Sequence, residues 1–211
     1  MIDFRNKFIF IHVHKAAGKS ISRALERNHF SNIINKSDYL YYHYKKHFGK
    51  KYIVSEIDNI KKHSQAIDYK TYLKDDYAKY FKFAFVRNPF DWQVSQYFYM
   101  KEKNVHFQHE IVKNMNFRDY IVWRCQKDLQ LQTDYLLDSN NNVIVDFIGK
   151  VENIQYDIKK VEQNIGFKLN LPHINKSEHS RSIEYYDDFT LNLVVENFKK
   201  DFELLKYKTE L

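Results

Sequence analysis

Cysteine is nearly missing from these 211 residues: Cys125 stands alone. No internal disulfide can form, a disulfide-stapled scaffold is excluded, and the usage fits a reducing compartment. Cys125 itself reads as a small buried hydrophobe rather than a nucleophile. Proline occurs twice and glycine four times, and no linker, repeat or low-complexity segment is found. No apolar run reaches the roughly 18 residues that a membrane-spanning helix needs. The amino terminus, MIDFRNKFIF, enters a hydrophobic segment directly and lacks the layout of a signal peptide. A cytoplasmic location is therefore expected. What is present argues for a folded chain: 44% hydrophobic and 17% aromatic residues can build a core. The length fits a single domain over residues 1–211. The net charge of +7 points to an anionic ligand or partner without saying which. The lysines are scattered and no nucleic-acid module is recognisable, so nucleic acid is not the expected partner.

The organising stretch is Lys7 to Leu25, KFIFIHVHKAAGKSISRAL. Phe8 to Val13 is rich in β-branched and aromatic residues and reads as a buried strand. His14-Lys15-Ala16-Ala17-Gly18-Lys19-Ser20 is a small-residue turn with two lysines, and Ile21, Ala24 and Leu25 then recur at helical spacing. A strand, a cationic turn and a helix form a phosphate-binding arrangement, because first-turn amides and the helix dipole both favour an anion. Gly18 would let the backbone approach a ligand. Gly18-Lys19-Ser20 fits the end of a nucleotide-triphosphate P-loop, but Val13 stands where its first glycine belongs. The stretch also resembles the loop of sulfotransferases, roughly Pro-Lys-Thr-Gly-Gly-Thr-Ser. Lys15, Gly18 and Ser20 match that loop; His14, Ala16, Ala17 and Lys19 depart from it.

Farther along, Lys51 to Val54 reads as a short strand. Ser64 reads as the cap of a helix over Ile67–Leu73, and Phe81 to Val86 as a second clear strand. Asn88 and Pro89 then open a helix whose inward stripe is Phe90, Val94, Tyr97 and Phe98. Arg87 falls at the carboxyl end of its strand, where open α/β sheets bind ligands. With Ser95 it forms a candidate grip for a second phosphate. Phe117 to Cys125 reads as a short helix, Asn140–Asn142 as a turn, Val143 to Ile148 as a strand, and Glu152 to Ile165 as a helix ended by Gly166. Thr190 to Leu205 reads as one amphipathic helix with Leu193, Val194, Phe198, Phe202 and Leu205 on its apolar face. The alternation predicts a three-layer α/β fold, a central parallel sheet with helices on both faces.

Val86-Arg87-Asn88-Pro89-Phe90-Asp91, with Ser95 and Tyr97, resembles the 3′-phosphate motif of sulfotransferases that use 3′-phosphoadenosine 5′-phosphosulfate (PAPS). Lys62-His63-Ser64-Gln65-Ala66 resembles a segment of the bacterial and carbohydrate branch of that family. So do Gln132 to Leu136, Val145 to Asn153, Leu171 to Ser177, Tyr185 to Asp187, and Asp201-Phe202. The likeness covers nearly the whole chain and implies a P-loop-like sulfotransferase fold. It further implies that Lys15, Ala16, Ala17, Gly18, Lys19, Ser20 and Ile21 hold the 5′-phosphate of the donor, and that Lys15 neutralises the leaving oxygen. Arg87 and Ser95 would hold the 3′-phosphate, and the Asn175–Arg181 loop, with Lys176 and Ser177, would close over the nucleotide. The implied donor is PAPS, the implied product is 3′-phosphoadenosine 5′-phosphate (PAP), and no metal is required.

An acceptor hydroxyl, on a small molecule or a glycan, needs a base. His63 is the first choice, with His12 and His14 as alternatives and Lys62 as an aid. Neither His106-x-x-His109 nor His12-x-His14 brings a third metal ligand at suitable spacing. A P-loop kinase is the rival enzyme, with Val143 to Asp146 as its magnesium-binding strand. The non-enzymatic rival is a basic anion-binding module. The acceptor's identity and the choice between monomer and homodimer stay open.

Overall fold

The computed structural model describes residues 1–33, 53–54, 60–171 and 182–210. Lys176, Ser177, the rest of the Asn175–Arg181 loop and most of the Asn28–Lys51 stretch lie outside them. In chain order the elements are β1 (Ile2–Asp3), β2 (Phe8–Ile11), α1 (Gly18–Ile33), β3 (Ile53–Val54), α2 (Ala66–Leu73), β4 (Phe81–Val86), α3 (Pro89–Glu102), α4 (His109–Val112), α5 (Phe117–Lys127), β5 (Phe147–Lys150), α6 (Ile154–Ile165), α7 (Asp188–Asn197) and α8 (Lys199–Leu205). They form two compact units: Met1–Phe85 with Tyr135–Ile174, and Val86–Asp134 with Asn175–Leu211.

The first unit is built on a five-stranded sheet of order β3-β1-β2-β4-β5. β2 and β4 run parallel, with Phe8 opposite Phe81 and Ile11 opposite Ala84. β1 is antiparallel to both β2 and β3, so the sheet is mixed at that edge rather than parallel throughout. β1 is too short to show any periodicity. A tight turn creates it: the Asp3 carboxylate accepts the amides of Arg5 and Asn6, both at 2.8 Å, and folds the chain back into β2. Phe8, Phe10, Phe83 and Phe85 pack with Ile21, Ala24 and Leu25 of α1 and with Ile154, Ile158, Val161 and Ile165 of α6. Ile9, Ile11 and Ala84, which alternate with them, are fully buried as well, so both faces of the strands are covered. Gly166 ends α6 at φ 81°, a left-handed turn that suits glycine.

Three local readings change here. β5 starts at Phe147, and Val143 reaches only an isolated bridge to Leu137. The Asp138 carboxylate gathers the amides of Asn140 and Asn142, and Asn141 turns left-handed at φ 62°, so this stretch closes a hairpin-like turn instead of extending. The cap of α2 is Gln65, whose amide donates to Asp68; the Ser64 hydroxyl instead accepts the Lys61 amide at 2.9 Å. The closing helix is two helices, α7 and α8, broken at Phe198. The Asn197 side-chain amide takes the Leu193 carbonyl at 2.8 Å, competing with the helical ladder there.

The second unit is helical. Phe90, Trp92, Val94, Tyr97 and Met100 of α3 pack with Val112, with Phe117, Tyr120 and Ile121 of α5, and with Val194, Phe198 and Phe202. Asn88 caps α3 by accepting the Phe90 amide at 2.9 Å, with Pro89 in the first turn. Cys125 is buried in this core, and burial pushes its thiol up to about 11, so it is an inert hydrophobe.

Candidate active site

The loop after β2 is built from unusual backbone. Lys15 and Ala17 both take left-handed conformations, at φ 57° and 58°. Left-handed residues reorient neighbouring amides, as they do in the backbone nests that bind anions. The Ser20 and Ile21 amides both donate to the Ala17 carbonyl, at 3.0 and 3.1 Å, which starts α1. Those two amides are committed within the helix. The Ile21 side chain is fully buried in the core, while Lys19 is exposed. No acidic residue lies in the first turn of α1 to offset its positive end.

Gly18 has a role the sequence did not reveal. A Cβ there would lie 1.9 Å from His12 Nε2 and 2.0 Å from His12 Cδ2. The close approach that requires glycine is thus to an imidazole of the protein itself. His12 is 5% exposed, stacks beside Phe10, and has its pKa pushed down to about 2, chiefly by burial and then by His63 and Lys62. It is a neutral packing group that shapes the loop.

The histidines considered as bases do come together in this unit. The His14 and His63 rings stack, with centroids 3.6 Å apart, and His12 lies 4.5 Å from His63. His63 Nδ1 sits 3.1 Å from the His12 carbonyl oxygen. A carbonyl only accepts, so Nδ1 carries the proton and donates. In the neutral ring, Nε2 is then the acceptor nitrogen. The turn carrying His63 is closed by two bonds between Lys61 and Ser64. A cleft of about 310 Å³ in the same unit is lined by His12, Lys19, Arg23, Glu26 and Lys62 among others, three cations to one carboxylate.

In the second unit, Arg87 leaves β4 half-buried and Ser95 is 7% exposed on α3. The Arg87 backbone is clamped by one side chain: its amide donates to Gln132 Oε1 at 2.9 Å, and Gln132 Nε2 donates to its carbonyl at 2.7 Å. Gln132 is in turn held by Asp201, whose carboxylate accepts the amides of Gln132 and Thr133, both at 2.9 Å, and the Thr133 hydroxyl at 2.8 Å. The segments around Gln132 and Asp201 were visible as motifs, yet nothing in their spacing, 69 residues apart, announced that they meet at Arg87.

Asp146, the magnesium ligand of the kinase reading, lies elsewhere. It pairs with Lys82 Nζ at 2.9 Å; its carboxylate also accepts the Lys82 amide at 2.8 Å, and its own amide donates to the Lys82 carbonyl, near the amino end of β4. A P-loop kinase needs that carboxylate beside the phosphate loop, which follows the carboxyl end of β2, so this geometry does not support it. Among the described residues no three histidine, cysteine, aspartate or glutamate side chains gather as a metal site, and no helix is long and apolar enough to cross a membrane.

Comparisons with known proteins agree with this geometry. Residues 1–208 match the sulfotransferase family. An uncharacterized protein of Archaeoglobus fulgidus is 39% identical over 90 residues, covering 41% of this chain and 68% of that one. The crystal structure of the mouse sulfotransferase SULT7A1 complexed with PAP superposes with a TM-score of 0.55 over 98% of this chain and 90% of that one, at 16% identity, a likeness of fold. The chain belongs to the sulfotransferase family and is a PAPS-dependent sulfotransferase.

Proposed function

We propose that the protein transfers the sulfuryl group of PAPS to a hydroxyl of a carbohydrate acceptor, with His63 as the base. The observation that carries this reading is the bond between His63 Nδ1 and the His12 carbonyl, on a ring stacked against His14 directly before the lysine loop; with Nδ1 as donor, the neutral ring has Nε2 as its acceptor nitrogen. His63 Nε2 takes the proton of the acceptor hydroxyl as its oxygen attacks sulfur. The bond from sulfur to the bridging oxygen breaks, and that oxygen leaves with the electron pair on PAP. Such in-line transfer asks mainly for positioning and for neutralisation of the leaving group.

In the first unit, Lys15, the Ser20 hydroxyl and the loop of Ala16, Ala17 and Gly18 hold the 5′-phosphate, and Lys15 balances the charge developing on the bridging oxygen. Lys19 adds a second cation. In the second unit, Arg87 and Ser95 hold the 3′-phosphate, the group that separates PAPS from ATP. Lys176 and Ser177 contribute from the loop outside the described residues. The solved mouse relative is a complex with PAP, which supports this donor. The match of residues 1–208 to one family supports a single sulfotransferase domain.

The test is a thermal shift with PAP, AMP, ADP and ATP–magnesium. A ligand that binds the folded state stabilises it by mass action. Stabilisation by PAP, with little by AMP, is the expected result, and Arg87→Ala should erase the difference. Stabilisation by ATP–magnesium alone would overturn the reading.

A further inference from the structure

The Gln132–Asp201 pair is buried beyond what a surface loop needs. Both residues are 0% exposed. One Gln132 side chain satisfies both the amide and the carbonyl of Arg87, as a neighbouring strand would. It thereby fixes the backbone of Arg87, the residue after the end of β4. Asp201, on α8, anchors the piece of chain that carries Gln132 through three accepted hydrogen bonds. Burial raises the Asp201 carboxyl above its usual range, and the bonds from Thr133 and Gln132 oppose that rise. A buried acidic group is thus bonded through its carboxylate to Gln132, which holds Arg87, and to Thr133 beside it.

We infer that Gln132 and Asp201 are positioning residues that set selectivity for a 3′-phosphorylated nucleotide, by fixing the backbone from which Arg87 projects. This rests on the reading of Arg87 as the 3′-phosphate ligand. The physical reason is entropic. A guanidinium on a wandering backbone must be ordered when the phosphate binds, whereas one on a clamped backbone is already in place. At metal sites, partners that orient a ligand are worth about 10–100-fold in affinity, and the same orienting logic applies to a phosphate ligand.

The experiment compares PAP and AMP binding by calorimetry in wild type, Arg87→Ala, Gln132→Leu, Gln132→Glu and Asp201→Asn. Gln132→Leu should weaken PAP about ten-fold and leave AMP unchanged. Gln132→Glu, which keeps the acceptor for the Arg87 amide, should recover part of the loss. Asp201→Asn should lower the PAP-to-AMP ratio in the same sense. A purely structural role would lower the melting temperature and leave the ratio alone; an unchanged ratio in folded Gln132→Leu overturns the inference. If Gln132→Leu gives no cooperative melt, an unchanged ratio in both Gln132→Glu and Asp201→Asn overturns it equally. Wild type that fails to distinguish PAP from AMP would overturn the donor reading instead. A ratio that Arg87→Ala abolishes while the clamp variants keep it would overturn the clamp alone.

Discussion

Gly18→Ala is the sharpest single perturbation. On a bare helix the change is favourable, by up to about 1 kcal/mol. Here the new methyl would sit 1.9 Å from His12 Nε2 and 2.0 Å from Cδ2. The imidazole is 5% exposed and packed by neighbouring rings, Phe10 at 5.8 Å and His63 at 4.5 Å, with the cleft it lines as its open direction. Forcing a methyl into such packing costs about 1–3 kcal/mol. Gly18 is the first residue of α1, so little helix propensity is recovered. The net should be a loss of about 2 kcal/mol, or ~4–8 °C of melting temperature for a chain of this size. Thermal unfolding followed by circular dichroism measures it. Because the clash is with His12, a double-mutant cycle tests it: in a His12→Ala background the same Gly18→Ala should cost under about 0.5 kcal/mol. Unchanged stability in the single variant, or equal losses in both backgrounds, would refute the packing account and return Gly18 to the role of ligand approach alone.

Ala17→Gly should act the other way. A left-handed alanine carries strain of about 1 kcal/mol that glycine lacks, so the variant should melt up to ~2 °C higher; a lower melting point would contradict the strained loop. Stability should also fall in mild acid through His12. Its folded pKa is depressed from 6.5 to about 2, so the unfolded chain takes up a proton that the folded chain refuses. The stabilisation is complete above pH 6.5 and drains as pH falls toward 2, by about 1.4 kcal/mol per pH unit from this group. Urea midpoints at two pH values should show a smaller difference in His12→Gln than in wild type. His63→Ala should bind PAP as wild type does and lose turnover; retained turnover on a true acceptor would assign the base elsewhere.

The parts of this protein legible from sequence were those whose causes are local. β4 could be read residue for residue from its aromatic run, and the Asn88–Pro89 start of α3 from capping and a fixed φ. Gly166 ends α6 as its position implied. The lysine loop and the arginine motif followed from residue types and their order. Readings failed where a side chain from the turn itself redirected the backbone, as Asp138 does before β5 and Asn197 does between α7 and α8.

What tertiary structure alone decided are contacts between residues far apart in the chain. His63 meets the His12 carbonyl across 51 residues, Gln132 meets Arg87 across 45, and Asp201 meets Gln132 across 69. Composition and periodicity record how each segment buries its own apolar face, so they specify elements and candidate chemistry. They carry no register between segments. The bond of the His63 ring, the packing around Gly18 and the clamp on the Arg87 backbone are properties of such registers, settled only by tertiary packing within each unit.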